Sequence, residues 1–199
     1  MNSLIRPAVV LFLVMTVITG IVYPLVVTGI GQALLPAQAG GSLVMRDGKA
    51  VGSSLIGQPF SDPKYFWSRP SATTPQPYNG TGSTGSNLGP LNPALTDAVK
   101  SRIEALHAAD PGNNSPIPVD LVTASGSGLD PDISLAGAYY QAPRIARVRG
   151  LSPASVRGLI AGHAKGRVLG LFGDPRVNVL ELNMALDRSQ ASNSATSKF

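Results

Sequence analysis

The chain has 199 residues, enough for one ordinary domain plus an appendage. Its formal net charge is +5, but only 14% of its residues are charged, so the basic excess reflects scarce acids and only weakly indicates anionic partners. The absence of cysteine excludes disulfide scaffolds, thiolate metal sites and cysteine nucleophiles.

The first predicted element is a transmembrane helix over residues 7–35. From Pro7 to Pro36 no residue is charged, and this stretch exceeds the ~20 residues that cross a ~30 Å hydrocarbon core. The alternative is a secretory signal peptide, because Ala37-Gln38-Ala39 resembles a cleavage site, but the apolar region of a signal peptide is usually about 7 to 15 residues long. We expect Pro24 to kink the helix, since proline removes a backbone donor.

The charges beside this helix predict its orientation. The α-amino group and Arg6 precede it, and the next charge is Arg46. Because positive flanks stay inside, we expect residues 1–6 to be cytoplasmic and the domain of residues 36–187 to lie outside the bacterial inner membrane. Residues 188–199, rich in Ser, Asn and Ala, predict a mobile tail.

A hairpin and a long loop follow. Residues 42–51 predict two strands joined at Asp47-Gly48, since this pair favours a type I′ turn. Residues 59–93 are crowded with Pro, Gly, Ser, Thr and Asn and show no periodicity, which predicts a loop. The aromatic residues at 65–67 and Tyr78 favour an ordered loop.

Three helices are predicted after the loop. One begins at Asn92-Pro93 and ends near Asp110, a second is capped by Asp130 or Ser134, and a third begins at Ser152-Pro153.

Two short apolar runs complete the pattern. Residues 119–122 predict a strand, and residues 177–186 close the fold. The expected fold class is α/β (α+β), an extracytoplasmic domain with a small sheet and several helices, anchored by one N-terminal transmembrane helix.

Short motifs for phosphate or metal binding are weak. Residues 80–85 match the dinucleotide-binding pattern, but without a flanking strand and helix they indicate a loop. His107 and His163 lack carboxylates at ligand spacing, so neither metal binding nor an intrinsic cofactor is expected.

A tethered serine hydrolase is the alternative function. Ser125 or Ser127 as nucleophile, with Asp130 and His163, would supply the chemistry of a triad. No GxSxG motif is present, and a serine between glycines is typical of a turn.

One segment is rich in basic residues, with Asp174 as its only acid. It predicts either a solvated surface or a basic face for a protein or a lipid headgroup. No nucleic acid is expected, because no interleaved aromatic residues suggest base stacking. The basic residues are Arg144, Arg147, Arg149, Arg157, Lys165, Arg167 and Arg176.

Several long strings, taken in order, resemble the C subunit of the bacterial Kdp potassium-transporting ATPase, the KdpC family. The resemblance extends from the apolar helix to Asp187, with Asp132 standing where we expect histidine in many relatives. The strings that carry it are Tyr23-Pro24, residues 52–60 (GSSLIGQPF), 65–72 (YFWSRPSA), 86–90 (SNLGP) and 119–131 (VDLVTASGSGLDP), then Tyr140-Gln141, Pro143-Arg144 and residues 175–183 (PRVNVLELN).

This resemblance implies a non-catalytic subunit of a pump whose partners are a channel-like potassium-binding subunit and a P-type ATPase subunit. ATP and potassium would act at the level of the complex, and the family is described as a catalytic chaperone that raises ATP affinity. Gln141 is the implied nucleotide contact. An extracytoplasmic domain cannot touch cytoplasmic ATP, so our topology favours either an indirect effect or a cap on the outer mouth of the channel-like subunit.

Two sets of residues are candidates for binding partners. In the apolar helix, which also contacts the lipid bilayer, Gly20, Gly29 and Gly31 would let a partner helix approach closely. Pro24 is a further candidate in the same helix. In the domain, the matching strings contribute Arg69, Ser125, Ser127, Asp130 and Arg144.

Overall fold

The computed structural model describes residues 2–196 and divides into two compact units, one ending at Ser53 and the other beginning at Ser54. The first unit contains α1 (Asn2–Val17), a π-helical segment (Ile18–Val22), α2 (Tyr23–Leu34), α3 (Pro36–Ala39), β1 (Leu43–Arg46) and β2 (Lys49–Ser53). The second contains α4 (Pro93–Ala109), a 3₁₀ turn (Val119–Leu121), β3 (Asp132–Ser134), α5 (Leu135–Arg149), α6 (Pro153–His163), β4 (Ala164–Lys165), β5 (Arg176–Asn178) and α7 (Val179–Thr196).

The first unit begins with one long apolar helix made of α1, the π-helical segment and α2. Its residues Leu4–Leu34 are long and apolar enough to cross a membrane, and none of the most apolar stretch is buried. At about 1.5 Å per residue these 31 residues span roughly 45 Å, more than a ~30 Å hydrocarbon core.

The expected disturbance at Pro24 takes the form of the π-helical segment. The backbone N–H of Tyr23 donates to the carbonyl of Ile18, five residues earlier, and Pro24 lies in the first turn of α2. Proline has no N–H to donate to the preceding turn, and the wider π turn is a recognised way to accommodate such a break.

The predicted hairpin is confirmed. Strands β1 and β2 are antiparallel, and Asp47 and Gly48 join them with φ angles of 51° and 75°, as a type I′ turn requires.

The second unit is built on a small antiparallel sheet with strand order β3-β5-β4. Helix α6 contacts both α5 and α7, and all three helices contact β5. The buried side chains form one core that includes Phe66, Leu121, Ile133, Ile145, Val156, Ile160, Val177, Leu182 and Leu186.

The predicted helix starts are confirmed by their caps. The side chain of Asn92 accepts from the N–H of Ala94 at 3.0 Å, and that of Ser134 accepts from Gly137 at 2.9 Å. Ser152 caps α6 in the same way. Each polar side chain satisfies a backbone donor that has no partner inside its own helix.

The strand predicted at residues 119–122 is wrong. The N–H of Leu121 donates to the Pro118 carbonyl and that of Val122 donates to the Val119 carbonyl, each three residues earlier, which produces a 3₁₀ turn. The intervening Asp120 accepts from the N–H of Ser134 at 2.7 Å. A short apolar run forms a strand only beside a partner strand, and here the local turn and this contact prevail.

The loop prediction is confirmed, since no helix or named strand lies between Ser53 and Pro93. At the other end, residues 188–196 continue helix α7, and residues 197–199 lie outside the described residues. Mobility of the tail therefore stays a prediction.

Candidate functional site

The long loop is held to helices α5 and α7 through residues 62–67, here called the docked segment. Phe66 is completely buried in the core, and Trp67 packs against that core. Two amide side chains, Gln141 from α5 and Asn183 from α7, bind the backbone of this segment as a neighbouring strand would. The segment therefore gains backbone hydrogen bonds without belonging to a sheet.

Both atoms of the Gln141 side-chain amide already make hydrogen bonds within the protein. Its Oε1 accepts from the N–H of Trp67 and from Nη2 of Arg144, both at 2.7 Å. Its Nε2 donates to the carbonyl oxygens of Trp67 at 3.2 Å and Gly137 at 3.3 Å, and the side chain is 1% exposed. A nucleotide would reach Gln141 only after Trp67 had moved away, and the contact implied by the resemblance stays a prediction.

Asn183 makes the matching pair of bonds one residue earlier. The N–H of Phe66 donates to its Oδ1 at 2.8 Å, and its Nδ2 donates to the Phe66 carbonyl at 3.0 Å. We did not predict this residue from the sequence. The available signal was that two asparagines, Asn178 and Asn183, interrupt the apolar run 177–186, where an unpaired polar group would be costly.

Arg144 lies inside the domain, not on its surface. Its guanidinium donates to the Pro63 carbonyl and to Gln141, and lies 4.8 Å from the centre of the Trp67 ring. Burial lowers the pKa of Arg144 to about 10, while the charge of Asp110 opposes that shift. This predicted partner-binding residue thus contacts the docked segment in the structure.

Arg149 binds the beginning of the same segment. Its guanidinium lies 4.7 Å from the centre of the Tyr65 ring and pairs with Asp187 at 2.9 Å. Its Nε donates to the Lys64 carbonyl at 2.7 Å. Cation–π contact, ion pair and hydrogen bond together fix Tyr65 against α5 and α7.

A second part of the loop packs against residues 125–130. Arg69 pairs with Asp130 at 3.1 Å, and the Pro70 carbonyl accepts from the N–H of Ser125. The carbonyl of Ser127 accepts from the N–H of Thr84 at 3.0 Å. The structure therefore brings together Arg69, Ser125, Ser127 and Asp130, which the sequence supplied from separate strings.

Two glycines allow this close approach. A Cβ atom on Gly57 would lie 2.6 Å from the Asp130 carbonyl oxygen, a distance that forces the backbone to shift. Gly128 has a φ of 68°, and a Cβ there would lie 2.6 Å from the Thr84 carbonyl oxygen. Glycine is needed at both positions because a side chain would separate the two backbone segments.

The residues of the hydrolase alternative do not hydrogen-bond to one another. The hydroxyls of Ser125 and Ser127 accept from the N–H groups of Gly128 and Leu129. Asp130 binds Arg69 and the N–H of Asp132, while Nδ1 of His163 lies 2.9 Å from the Leu159 carbonyl oxygen. Each hydroxyl, carboxylate and ring nitrogen is committed to local structure, so a catalytic triad is not assembled.

The described residues also contain no group of three or more His, Asp or Glu side chains placed to hold a metal ion. His107 lies exposed in the last turn of α4, and His163 ends α6.

Five of the seven basic residues pair with acids in the structure, and four of those acids lie outside the basic segment. A sequence window shows only Asp174, because the other acids are distant in the sequence. Arg147 binds Asp110 at 2.8 Å, Arg149 binds Asp187 at 2.9 Å, Lys165 binds Glu181 at 3.4 Å, Arg167 binds Asp174 at 3.4 Å and Arg176 binds Asp132 at 2.8 Å.

The candidate residues of the apolar helix sit on open faces. A Cβ on Gly20 or Gly29 would meet no atom within 4 Å. Pro24 follows the π-helical segment that contains Gly20. Docking of a partner helix there stays a prediction.

These features define a class of protein: an α+β domain joined to one apolar helix that could span a membrane. Comparison with known sequences supplies the family. The family described as "K+-transporting ATPase, c chain" matches residues 5–188.

Three relatives named "Potassium-transporting ATPase KdpC subunit" are similar over almost the whole chain. That of Variovorax paradoxus is 65% identical over 192 residues, 96% of this chain and 100% of the relative. Those of Dechloromonas aromatica and Methylibium petroleiphilum are 64% and 65% identical, each covering 94% of this chain and 98% of the relative. The chain belongs to the KdpC family of potassium-transporting ATPase subunits, as its strings predicted.

Proposed function

We propose that this chain is a membrane-anchored, non-catalytic subunit of a potassium-transporting ATPase. The observation that carries the proposal is the family match over residues 5–188, which includes both the apolar helix and the α+β domain. Its partners are a channel-like potassium-binding subunit and a P-type ATPase subunit. The apolar helix spans the bacterial inner membrane with its N-terminus inside, because Arg6 is the charge nearest that end.

The domain then stabilises the complex from outside the membrane, where it caps the outer mouth of the channel-like subunit. Any rise in ATP affinity acts at a distance, as a coupling free energy between separate sites. The burial of Gln141 supports this indirect route, because its amide already binds Trp67 and Arg144.

Topology is tested with two single-cysteine variants, since the chain has no native cysteine. Leu91→Cys, at the most exposed large apolar residue, should be labelled in intact cells by a membrane-impermeant thiol reagent. Ser3→Cys, in the first turn of α1 and just before the apolar stretch Leu4–Leu34, should be labelled only after permeabilisation. The reverse pattern would contradict an external domain.

Function is tested on the complex purified with and without this chain. Omitting the chain should lower the yield of assembled complex and the potassium-stimulated ATPase activity, and raise the KM for ATP. If the purified full chain alone binds ATP, and Gln141→Ala abolishes that binding, the indirect route is wrong. A complex that forms and works equally well without the chain would contradict the proposed function itself.

A further inference from the structure

The connection between β4 and β5 presents a cluster of exposed apolar side chains, here called the apolar tip. It consists of Val168, Leu169, Leu171 and Phe172, which are 56%, 85%, 76% and 65% exposed. Single exposed apolar residues are ordinary on protein surfaces, but a contiguous group of four is typical of an interaction site.

The turn that carries the apolar tip has a defined shape. The N–H of Val168 donates to the Phe172 carbonyl at 2.9 Å, and the N–H of Phe172 donates back at 3.0 Å. The N–H of Gly170 also donates to the Arg167 carbonyl at 3.1 Å. The four side chains are therefore presented on an ordered turn, which lowers the entropy lost on binding.

Leu169, in the middle of this turn, has a backbone conformation that leucine rarely adopts. Leu169 and Gly170 have φ angles of 54° and 73°, close to the 51° and 75° of Asp47-Gly48 in the hairpin. Aspartate tolerates this left-handed region, whereas leucine there costs roughly 1–2 kcal/mol. At 85% exposure Leu169 gains little burial within this chain to offset that cost.

The charges around the apolar tip favour a protein partner over the lipid bilayer. Each flanking cation has an acid nearby: Lys165 with Glu181 and Arg167 with Asp174, both at 3.4 Å, and Arg176 with Asp132 at 2.8 Å. A loop that binds anionic lipid gains from unneutralised Lys and Arg, and here that gain is small. An apolar centre with a paired polar rim is the usual anatomy of a protein interface.

We propose that the apolar tip docks into an apolar depression on the channel-like subunit of the potassium-transporting complex, with Leu169 and Leu171 as its anchors. This inference rests on the proposed function, because that function supplies the partner.

The first test compares two double variants of the full chain in complex purification. Leu169→Ser with Leu171→Ser removes the two anchors. Leu91→Ser with Val119→Ser is the matched control, since both residues are exposed but lie outside the apolar tip. We expect the tip variant to co-purify with about tenfold less channel-like subunit than wild type does, and the control to co-purify with a normal amount.

Normal retention by the tip variant would overturn the inference while leaving the proposed function intact. If the wild-type chain itself co-purifies with neither the channel-like subunit nor the ATPase subunit, the proposed function fails instead. Trp67, the only tryptophan, reports folding of the second unit. Should the double variant misfold, the single variant Leu169→Asn takes its place, because asparagine suits the left-handed turn.

A fluorescence test separates a partner subunit from lipid and from a second copy. An environment-sensitive dye on Leu169→Cys should remain dim in the chain alone in lipid nanodiscs and brighten when the other subunits are present. Brightening in nanodiscs without partners would overturn the proposal in favour of the bilayer. Crosslinking between two copies through this cysteine in the chain alone would overturn it in favour of self-association.

Discussion

The docked segment and the apolar tip are both loops rich in large apolar side chains, but the first packs into the core and the second is exposed. The docked segment places Phe66 in the core, and amide side chains from two helices bind its backbone. The apolar tip is bound only by its own turn and leaves Leu169 85% exposed.

The polar side chains around each loop distinguish a loop that stabilises the fold from one that is available to bind a partner. Around the docked segment, Gln141, Arg144 and Asn183 are all buried, and their polar groups are used on that segment. Around the apolar tip the charged residues pair with one another and leave the apolar side chains uncovered. Loss of a buried polar group should therefore cost stability, whereas changes in the tip should alter association.

The largest expected effect is on the docked segment. Asn183→Ala removes both partners of the Phe66 backbone, and a buried unsatisfied group costs about 1–3 kcal/mol, so we expect a loss of roughly 2–4 kcal/mol. The measurement is urea denaturation of the full chain in detergent, followed by Trp67 fluorescence. The exposed Asn114→Ala is the matched control and should change little. Equal losses in both variants would contradict the assigned role of Asn183.

A smaller effect should appear at high pH, through Tyr78, a half-buried aromatic residue of the long loop. Burial raises the pKa of Tyr78 to about 12, against about 10 for an unperturbed tyrosine. Between these values the unfolded state loses a proton that the folded state keeps, so stability falls as pH rises, by up to about 2 kcal/mol. Below pH 10 both states remain protonated and this contribution is constant.

The test is denaturation between pH 9 and pH 12 for wild type and Tyr78→Phe. The free energy of unfolding of Tyr78→Phe should lack the part of the fall between pH 10 and pH 12 that is due to Tyr78. Arg144 acts in the opposite sense, because burial lowers its pKa to about 10, but it is common to both proteins and cancels in the difference. The tip variant Leu169→Asn should keep the wild-type slope. Parallel profiles for wild type and Tyr78→Phe would show that Tyr78 is not responsible.

The smallest expected effect is a gain in stability at the apolar tip. Leu169→Asn should stabilise the second unit by about 1 kcal/mol or less, because asparagine tolerates a φ of 54° better than leucine does. Leu91→Asn makes the same chemical change at an exposed residue outside the positive-φ set and serves as the control. A destabilised Leu169→Asn variant would mean that the fold itself needs this leucine.

Local signals predicted much of the architecture. Asn92, Ser134 and Ser152 mark helix starts because capping involves residues only two or three positions apart. Asp47-Gly48 predicted its turn for the same reason. The 3₁₀ turn at residues 119–121 was missed, since a short apolar run reads alike whether or not a strand lies beside it.

Local sequence signals predicted less of the candidate site, because its contacts join residues that are distant in the sequence. The strings around Gly57, Arg69 and Ser125 were recognised, but not that they pack against one another, with close backbone approaches at Gly57 and Gly128. The basic segment was visible, whereas its acidic partners were not, because ion pairs such as that of Arg149 with Asp187 join distant parts of the chain.

By itself, the sequence determined the apolar helix, the helix caps, the hairpin turn and the family, because each depends on neighbouring residues or on matching strings in order. Only the tertiary structure decided that Gln141 and Asn183 bind the docked segment while the apolar tip stays uncovered. Burial and hydrogen bonding between distant residues depend on how the whole chain packs, so two loops that both carry large apolar side chains acquire different roles.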